Sequence, residues 1–185
     1  MRITGGQWAG RTLAVPPGQG VRPTPDKVRQ AIFNSLGEWI QGCTVLELFA
    51  GSGALSLECL SRGAESAVCV EKSSRHAGYL RRNIRALGAN VEVRLGDAFK
   101  AGRQMTINFD LILADPPYGA KTAGHRSQSD AQQLLDDNEL PLLLNTEGRL
   151  LLGHARRDEV EIPSPWRELK TLKHGDNWIR MLGLD

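Results

Sequence analysis

Residues 43–71 read "CTVLELFAGSGALSLECLSRGAESAVCVE". An apolar run of strand length leads into two glycines spaced two apart, Gly51 and Gly53. A helix-length segment follows as far as Gly63, and a second apolar run ends in Glu71. Strand, glycine turn, helix and strand make a β-α-β unit, the repeat from which parallel sheets are built. Near-continuous apolar runs, without strict alternation, mark strands covered on both faces. The spacing therefore predicts a strand over 43–49, a helix over 52–63 closed by Gly63, and a strand over 66–71.

The pattern continues outward from this core. A helix is expected over 74–87, closed by Gly88, then strands over 90–95 and 109–115. Residues 129–144 predict a helix interrupted or ended near Pro141, with a further strand over 148–155. The last runs, 167–174 and 177–184, flank Gly175-Asp176 and predict an antiparallel hairpin at the sheet end. The fold class is α/β: a doubly wound, mainly parallel seven-stranded sheet of Rossmann-like type with right-handed crossovers. Toward the N-terminus, 1–15 reads as a short β-hairpin followed by the Pro/Gly-rich "PPGQGVRP". Thr24-Pro25-Asp26 resembles a helix start, with a capping hydroxyl, a proline and an early acid. Val28, Ala31, Ile32, Leu36, Trp39 and Ile40 recur at helical spacing as its buried face. Residues 1–40 are thus expected to form a basic extension and 41–185 the main domain.

At 185 residues, with 41% hydrophobic and 24% charged, the chain has the composition of a soluble globular protein. Charge is unevenly spread. Residues 1–30 hold Arg2, Arg11, Arg22, Lys27 and Arg29 against Asp26 alone, a net of +4 that leaves the remainder at −2 of the total +2. A basic arm on a mildly acidic body points to a polyanionic partner. Cys43, Cys59 and Cys69 lie in apolar stretches without C-x-x-C spacing, which reads as reduced, buried thiols. His76, His125, His154 and His174 are scattered and form no metal-ligand pair, so no metal is expected. No apolar run approaches bilayer length and the N-terminus lacks a signal-peptide core, so the expectation is a cytoplasmic protein away from membranes.

Ligands in doubly wound folds lie at the carboxyl ends of the strands. Gly51 and Gly53 allow a tight turn with close backbone approach to a ligand, and the following helix aims its N-terminus there. Glu71, twenty positions after Gly51, is placed to accept both hydroxyls of a ribose. The third glycine of the dinucleotide fingerprint is replaced by Ser56, and Glu47 points toward the space a pyrophosphate would take. Both features disfavour NAD and favour a cofactor with a cationic end, such as S-adenosylmethionine. Asp97, after the third strand, is placed either to bind an adenine amine or to cap a helix. The cofactor set is Glu47, Phe49, Gly51, Ser52, Gly53, Glu71, Lys72, Asp97, Ala98 and Asp115.

The fourth strand runs into Asp115-Pro116-Pro117-Tyr118 on the same rim. An aromatic exocyclic amine is a poor nucleophile because its lone pair is conjugated into the ring. A carboxylate and a backbone carbonyl that accept its two N–H groups can aim the nitrogen and stabilise the charge developing on it. Asp115 and the Pro116 carbonyl suit that task, the prolines stiffen the acceptor, and Tyr118 offers a face for a flipped base. A purely structural Asp-Pro-Pro turn leaves the aromatic unexplained. In the next loop Lys121 and Arg126 are candidates for phosphate contact, and the basic arm adds Arg2 and Arg11. Arg75, Arg81, Arg82 and Arg85 read as a solvated helix face.

These segments together resemble the RsmD-type methyltransferases, over nearly the whole chain. The resemblance is carried by "MRITGGQWAGRTLAVP", "RPTPDKVRQAIFNSL", "LELFAGSGALSLECLSRGA", "VEKS" and "DLILADPPYG". It implies S-adenosylmethionine as cofactor, methylation of a guanine N2 in small-subunit ribosomal RNA, and contact with cofactor and RNA at the N-terminal hairpin and at Arg22-Pro23-Thr24. The expected partner is ribosomal RNA within a small-subunit particle, and the expected state is a monomer. Glu47 stands where that family usually has Asp, Ser56 where it has Gly, His154 where it commonly has Glu and His174 where it has Tyr. The rival readings are an amino-methyltransferase acting on adenine N6 in DNA or another RNA, and a non-catalytic RNA-binding assembly factor.

Overall fold

The computed structural model describes residues 1–17, 24–100, 105–117 and 129–185. It divides into two compact units, Met1–Ala98 and Phe99–Asp185.

In the first unit, β1 (Thr44–Leu48), β2 (Ser66–Glu71) and β3 (Val91–Leu95) pair in parallel in the order β3-β2-β1. The helices α2 (Ala54–Ser61) and α3 (Ser74–Leu87) make the crossovers. β1 and β2 are almost wholly buried, as their unbroken apolar runs require. α3 starts on Ser73, whose side chain accepts the His76 amide, and stops at Gly88 in the left-handed conformation. Before β1, α1 (Asp26–Leu36) runs into a single 3-10 turn over Gly37–Ile40. Thr24 is not its cap: Pro25 occupies that position and no side chain caps the helix. The buried face is Val28, Arg29, Ile32, Phe33 and Leu36, with Ala31 and Trp39 only partly covered.

The expected N-terminal hairpin forms: around the antiparallel Arg2–Thr12 bridge the Ile3 amide donates to the Arg11 carbonyl at 2.9 Å, Gly10 to Ile3 at 2.9 Å and Leu13 to Met1 at 2.8 Å. The amides of its turn go to α2. The Thr4 amide goes to Glu58 Oε2 at 2.8 Å, the Gln7 amide to the Ser61 carbonyl at 2.7 Å, and the Trp8 amide to Ser61 Oγ at 2.9 Å. Ile3 and Leu13 pack on Leu57 of α2, each nearly fully buried, a contact of roughly 1.5–3 kcal/mol per side chain. The segment is an arm clamped to the Rossmann core.

In the second unit, β4 (Phe109–Ala114) and β5 (Leu144–Ala155) are parallel, and β6 (Trp166–His174) and β7 (Asn177–Leu184) form the antiparallel hairpin foreseen from Gly175-Asp176. The order is β4-β5-β7-β6. The helix expected in 129–144 is short: α4 (Asp130–Leu135) starts on Ser129, and Pro141–Leu143 is a separate 3-10 turn. β5 begins at Leu144, ahead of the predicted 148, across a bulge between Phe109 and Leu111. The seven strands are mostly parallel with an antiparallel end, as the sequence predicts. Among the described residues no helix is long and apolar enough to cross a membrane.

Candidate active site

β1 delivers Glu47 to its carboxyl end and the chain then bends sharply. Phe49 takes φ +57°, a left-handed conformation strained for an aromatic residue, and Gly51 and Gly53 follow at φ +56° and +75°. Gly53 has a packing reason as well: an added Cβ would stand 2.2 Å from Leu80 Cδ1. The Gly51 amide donates to Glu71 Oε2 at 2.7 Å, and the Ser73 amide donates to Glu71 Oε1 at 2.8 Å. These two bonds orient the Glu71 carboxylate and tie the glycine loop to the end of β2. Each carboxylate oxygen keeps a second lone pair, so the arrangement fits a ribose diol.

Glu47 is turned under the loop and is only 3% exposed. Its Oε2 accepts the Ser56 amide at 3.0 Å, one of the unpaired donors of the first turn of α2. Burial pushes the Glu47 carboxyl up to about 7, against the hydrogen bonds from Ser56 that favour the charged form. Ser56, in place of a third fingerprint glycine, is fully buried; its hydroxyl reaches the Gly53 carbonyl at 3.2 Å and Cys69 Sγ at 3.1 Å. The Ser52 carbonyl accepts from Asn83 Nδ2 at 3.0 Å. Asp97 pairs with the largely exposed Lys72 at 3.2 Å, and Ala98 opens a 3-10 turn.

The other predicted cluster lies in the second unit. Asp115 and Pro116 follow β4 directly; Asp115 is half-buried, Pro116 buried and Pro117 exposed. Asp115 follows the Ala114–Leu152 pair of the β4–β5 register, and a Cβ on Gly153 would stand 2.4 Å from Asp115 Oδ1. A glycine on β5 thus makes room for the carboxylate. Next to it His154 is buried, its Nδ1 bonded to the Ala155 carbonyl at 2.9 Å and its Nε2 accepting from Arg180 Nε at 3.1 Å. Burial, then the Arg180 charge, lowers the His154 pKa, in keeping with a neutral ring. Arg180 in turn pairs with Glu168. Tyr118, Lys121, Arg126 and Arg22 lie outside the described residues.

On the arm, Arg2 and Arg11 are exposed; Arg2 contacts Asp26 at 3.4 Å and Arg11 reaches the Ala86 carbonyl at 3.2 Å. Arg75, Arg81, Arg82 and Arg85 are exposed on α3, which carries no acid. The Thr24 carbonyl accepts from Arg29 at 3.4 Å. Arg29, one of the largest fully buried side chains, also bonds the Arg2 carbonyl and Asp26. Arg29 was counted with the basic residues of the arm, but its charge is spent inside the fold, 1% exposed. Glu58, Ser61 and Asn83 were not singled out in the sequence, because each sits at a position that reads as a solvated helix face. The one available signal was the coincidence of a long polar side chain with a segment of apolar neighbours.

A parallel β-α-β core, a glycine loop tied to an acid at the next strand end, and an antiparallel edge pair define the Rossmann-like fold of the class I methyltransferases. Over 100% of this chain the fold matches a solved Escherichia coli structure titled "Putative methyltransferase yhhF", at 31% identity, 98% coverage of that chain and a TM-score of 0.81. A solved Haemophilus influenzae structure titled as a "putative methylase" matches 100% of the chain and 98% of its own, at 26% identity and a TM-score of 0.78. Residues 1–183 match the family described as "Conserved hypothetical protein 95", and the chain belongs to this RsmD-type family. It is 41% identical over 119 residues to the "Ribosomal RNA small subunit methyltransferase D" of Escherichia coli, an alignment covering 64% of this chain and 60% of that protein's length. The "Putative rRNA methyltransferase YlbH" of Bacillus subtilis is 33% identical over 168 residues, 88% of this chain and 86% of its own.

Proposed function

We propose that this chain transfers a methyl group from S-adenosylmethionine to the exocyclic N2 amine of a guanine in small-subunit ribosomal RNA, acting in the cytoplasm. The observation that carries the reading is the Asp115-Pro116 pair at the end of β4, with the carboxylate accommodated by Gly153. Asp115 and the Pro116 carbonyl accept the two amine hydrogens, hold the nitrogen lone pair toward the methyl group, and stabilise the positive charge that grows on nitrogen. After transfer the surplus proton on nitrogen passes to the Asp115 carboxylate, so Asp115 need not deprotonate the amine first. Tyr118 stacks the flipped base.

The cofactor, when bound, supplies a methyl group made electrophilic by a sulfonium. Glu71 takes its ribose hydroxyls, and Gly51, Ser52 and Gly53 bring backbone close to it, with Phe49, Lys72, Asp97 and Ala98 around it. The oriented, lone-pair-bearing Glu71 carboxylate supports that assignment. The exposed arginines of the arm and of α3 support an RNA partner through phosphate contact. The names of the relatives point to ribosomal RNA; guanine N2 and the assembled particle are this proposal's own additions.

Single-turnover methyl transfer with Asp115→Ala tests the roles. With cofactor saturating, because Asp115 also stands in the cofactor set, the expected result is a transfer rate reduced at least 100-fold, in the range of lost charge-stabilising groups. A full rate with normal cofactor binding refutes the assignment.

A further inference from the structure

Asn83 is a polar residue on the buried stripe of α3, beside Ala77 and Leu80, and is 3% exposed. Its side-chain amide makes three hydrogen bonds. Nδ2 donates to the Ser52 carbonyl at 3.0 Å and to the Ala14 carbonyl at 2.9 Å, and Oδ1 accepts the Ala14 amide at 2.8 Å. A carboxamide carries the same donor and acceptor as a peptide group. Ala14 therefore pairs with Asn83 as it would with a neighbouring strand.

The two partners belong to different functional parts. Ser52 is the middle residue of the Gly51-Ser52-Gly53 loop, and the peptide between Ser52 and Gly53 is held at both ends, since the Gly53 amide donates to the Ala50 carbonyl at 2.7 Å. Ala14 lies in the arm that carries Arg2 and Arg11. One buried amide therefore fixes both the loop that approaches the cofactor and the arm that faces a polyanion. We propose that Asn83 couples the two: RNA held on the arm tightens cofactor binding, and cofactor tightens RNA binding by the same factor. The proposal rests on the methyltransferase reading above. It makes Asn83 a positioning residue, since it touches neither ligand.

Asn83→Asp keeps the acceptor for the Ala14 amide and replaces the donor with an oxygen facing two carbonyls. A buried carbonyl left without its donor is costly. The experiment measures the Kd of S-adenosylhomocysteine, with and without unmodified small-subunit ribosomal RNA, for the wild type, Asn83→Asp and Thr4→Ala. Thr4→Ala removes the hydroxyl that donates to Glu58 at 2.7 Å and so loosens the arm from α2 without touching the loop. The wild type is expected to bind this ligand about fivefold more tightly when RNA is present. Asn83→Asp is expected to bind it about tenfold more weakly and to show no effect of RNA. Thr4→Ala is expected to weaken RNA binding while keeping the wild-type ligand Kd.

A wild-type ratio of one, with both ligands bound, refutes the coupling and leaves the methyltransferase reading intact. Retention of the wild-type ratio in Asn83→Asp likewise refutes it. Absence of cofactor binding in the wild type refutes the methyltransferase reading and the coupling with it. Hydrogen exchange on the wild type serves if Asn83→Asp does not fold. Adding S-adenosylhomocysteine alone is expected to slow exchange in the peptide containing the Ala14 amide, and unchanged exchange there overturns the proposal.

Discussion

The buried carboxyl of Glu47 gives a quantitative prediction. Its ordinary value is 4.5 and burial raises it to about 7. Between those values the native state retains a proton that the unfolded chain has released. The native state binds more protons, so this group's contribution to stability falls as pH rises. The contribution is complete below about pH 4.5 and gone above about pH 7. At about 1.4 kcal/mol per pH unit, the gap from 4.5 to about 7 amounts to about 3 kcal/mol. Glu47→Gln keeps an acceptor for the Ser56 amide and cannot ionise. Its stability relative to wild type should therefore rise by about 3 kcal/mol from pH 4.5 to pH 8. With roughly 2 kcal/mol per molar urea for a protein of this size, the midpoint difference should grow by about 1.5 M. His154 pulls wild-type stability in the opposite direction over part of this range, but both chains carry it and it cancels in the comparison. The assay is urea unfolding of both proteins at pH 4.5, 6, 7 and 8. A midpoint difference that stays constant with pH would show that burial does not raise this carboxyl, and the account of Glu47 would fail.

Other consequences are simpler. Gly6→Ala should lower the urea midpoint and expose the arm to limited proteolysis. At φ +75° a Cβ would sit 1.8 Å from the Ser61 carbonyl oxygen, so the backbone must move, at a cost of at least about 1–2 kcal/mol from the left-handed conformation alone. Cys43, Cys59 and Cys69 are all buried, and burial raises the thiols of Cys59 and Cys69 further from ionisation, so a thiol reagent should label none of them until the protein is unfolded. His154 has a lowered pKa, so below its unfolded value of 6.5 the unfolded chain gains a proton that the native state refuses. Wild-type stability should fall as pH drops through that range, and His154→Gln should flatten the fall in acid-unfolding curves.

The strands and helices that pack in the core were legible because their periodicity had one cause. β2 and α3 occupy the predicted 66–71 and 74–87, with Gly88 closing the helix as expected and Ser73, not foreseen as a cap, opening it. The arm was legible as a hairpin, since residues 1–3 pair with 10–13 across the glycine-rich turn. Its docking was not legible: Gly6 comes against the Ser61 carbonyl and the amides of Thr4, Gln7 and Trp8 turn to α2. α2 is buried from Leu55 to Ser61 because the arm covers a face that would otherwise meet water. Glu58 and Ser61 are polar because they bind that arm. The residue types of Glu47 and Glu71 in the first unit and of Asp115 in the second were readable from strand ends, because loops at those ends carry ligands. What Glu47 and Glu71 bond was not readable, since Ser56 and Gly51 reach them only through the folded chain, and neither was the room that Gly153 leaves for Asp115. Glu47 was expected to point toward ligand space, and the fold places its oxygen on the first turn of α2.

The central claim is tested most directly by identifying the methylated nucleoside. Small-subunit particles from a strain lacking the gene, free small-subunit ribosomal RNA and duplex DNA are each incubated with the protein and methyl-labelled S-adenosylmethionine, then digested to nucleosides. The account predicts label in N2-methylguanosine at one position of the ribosomal RNA, none in DNA, and none with Asp115→Ala. Label in N6-methyladenine, or cofactor binding without transfer to any ribosomal substrate, would contradict it.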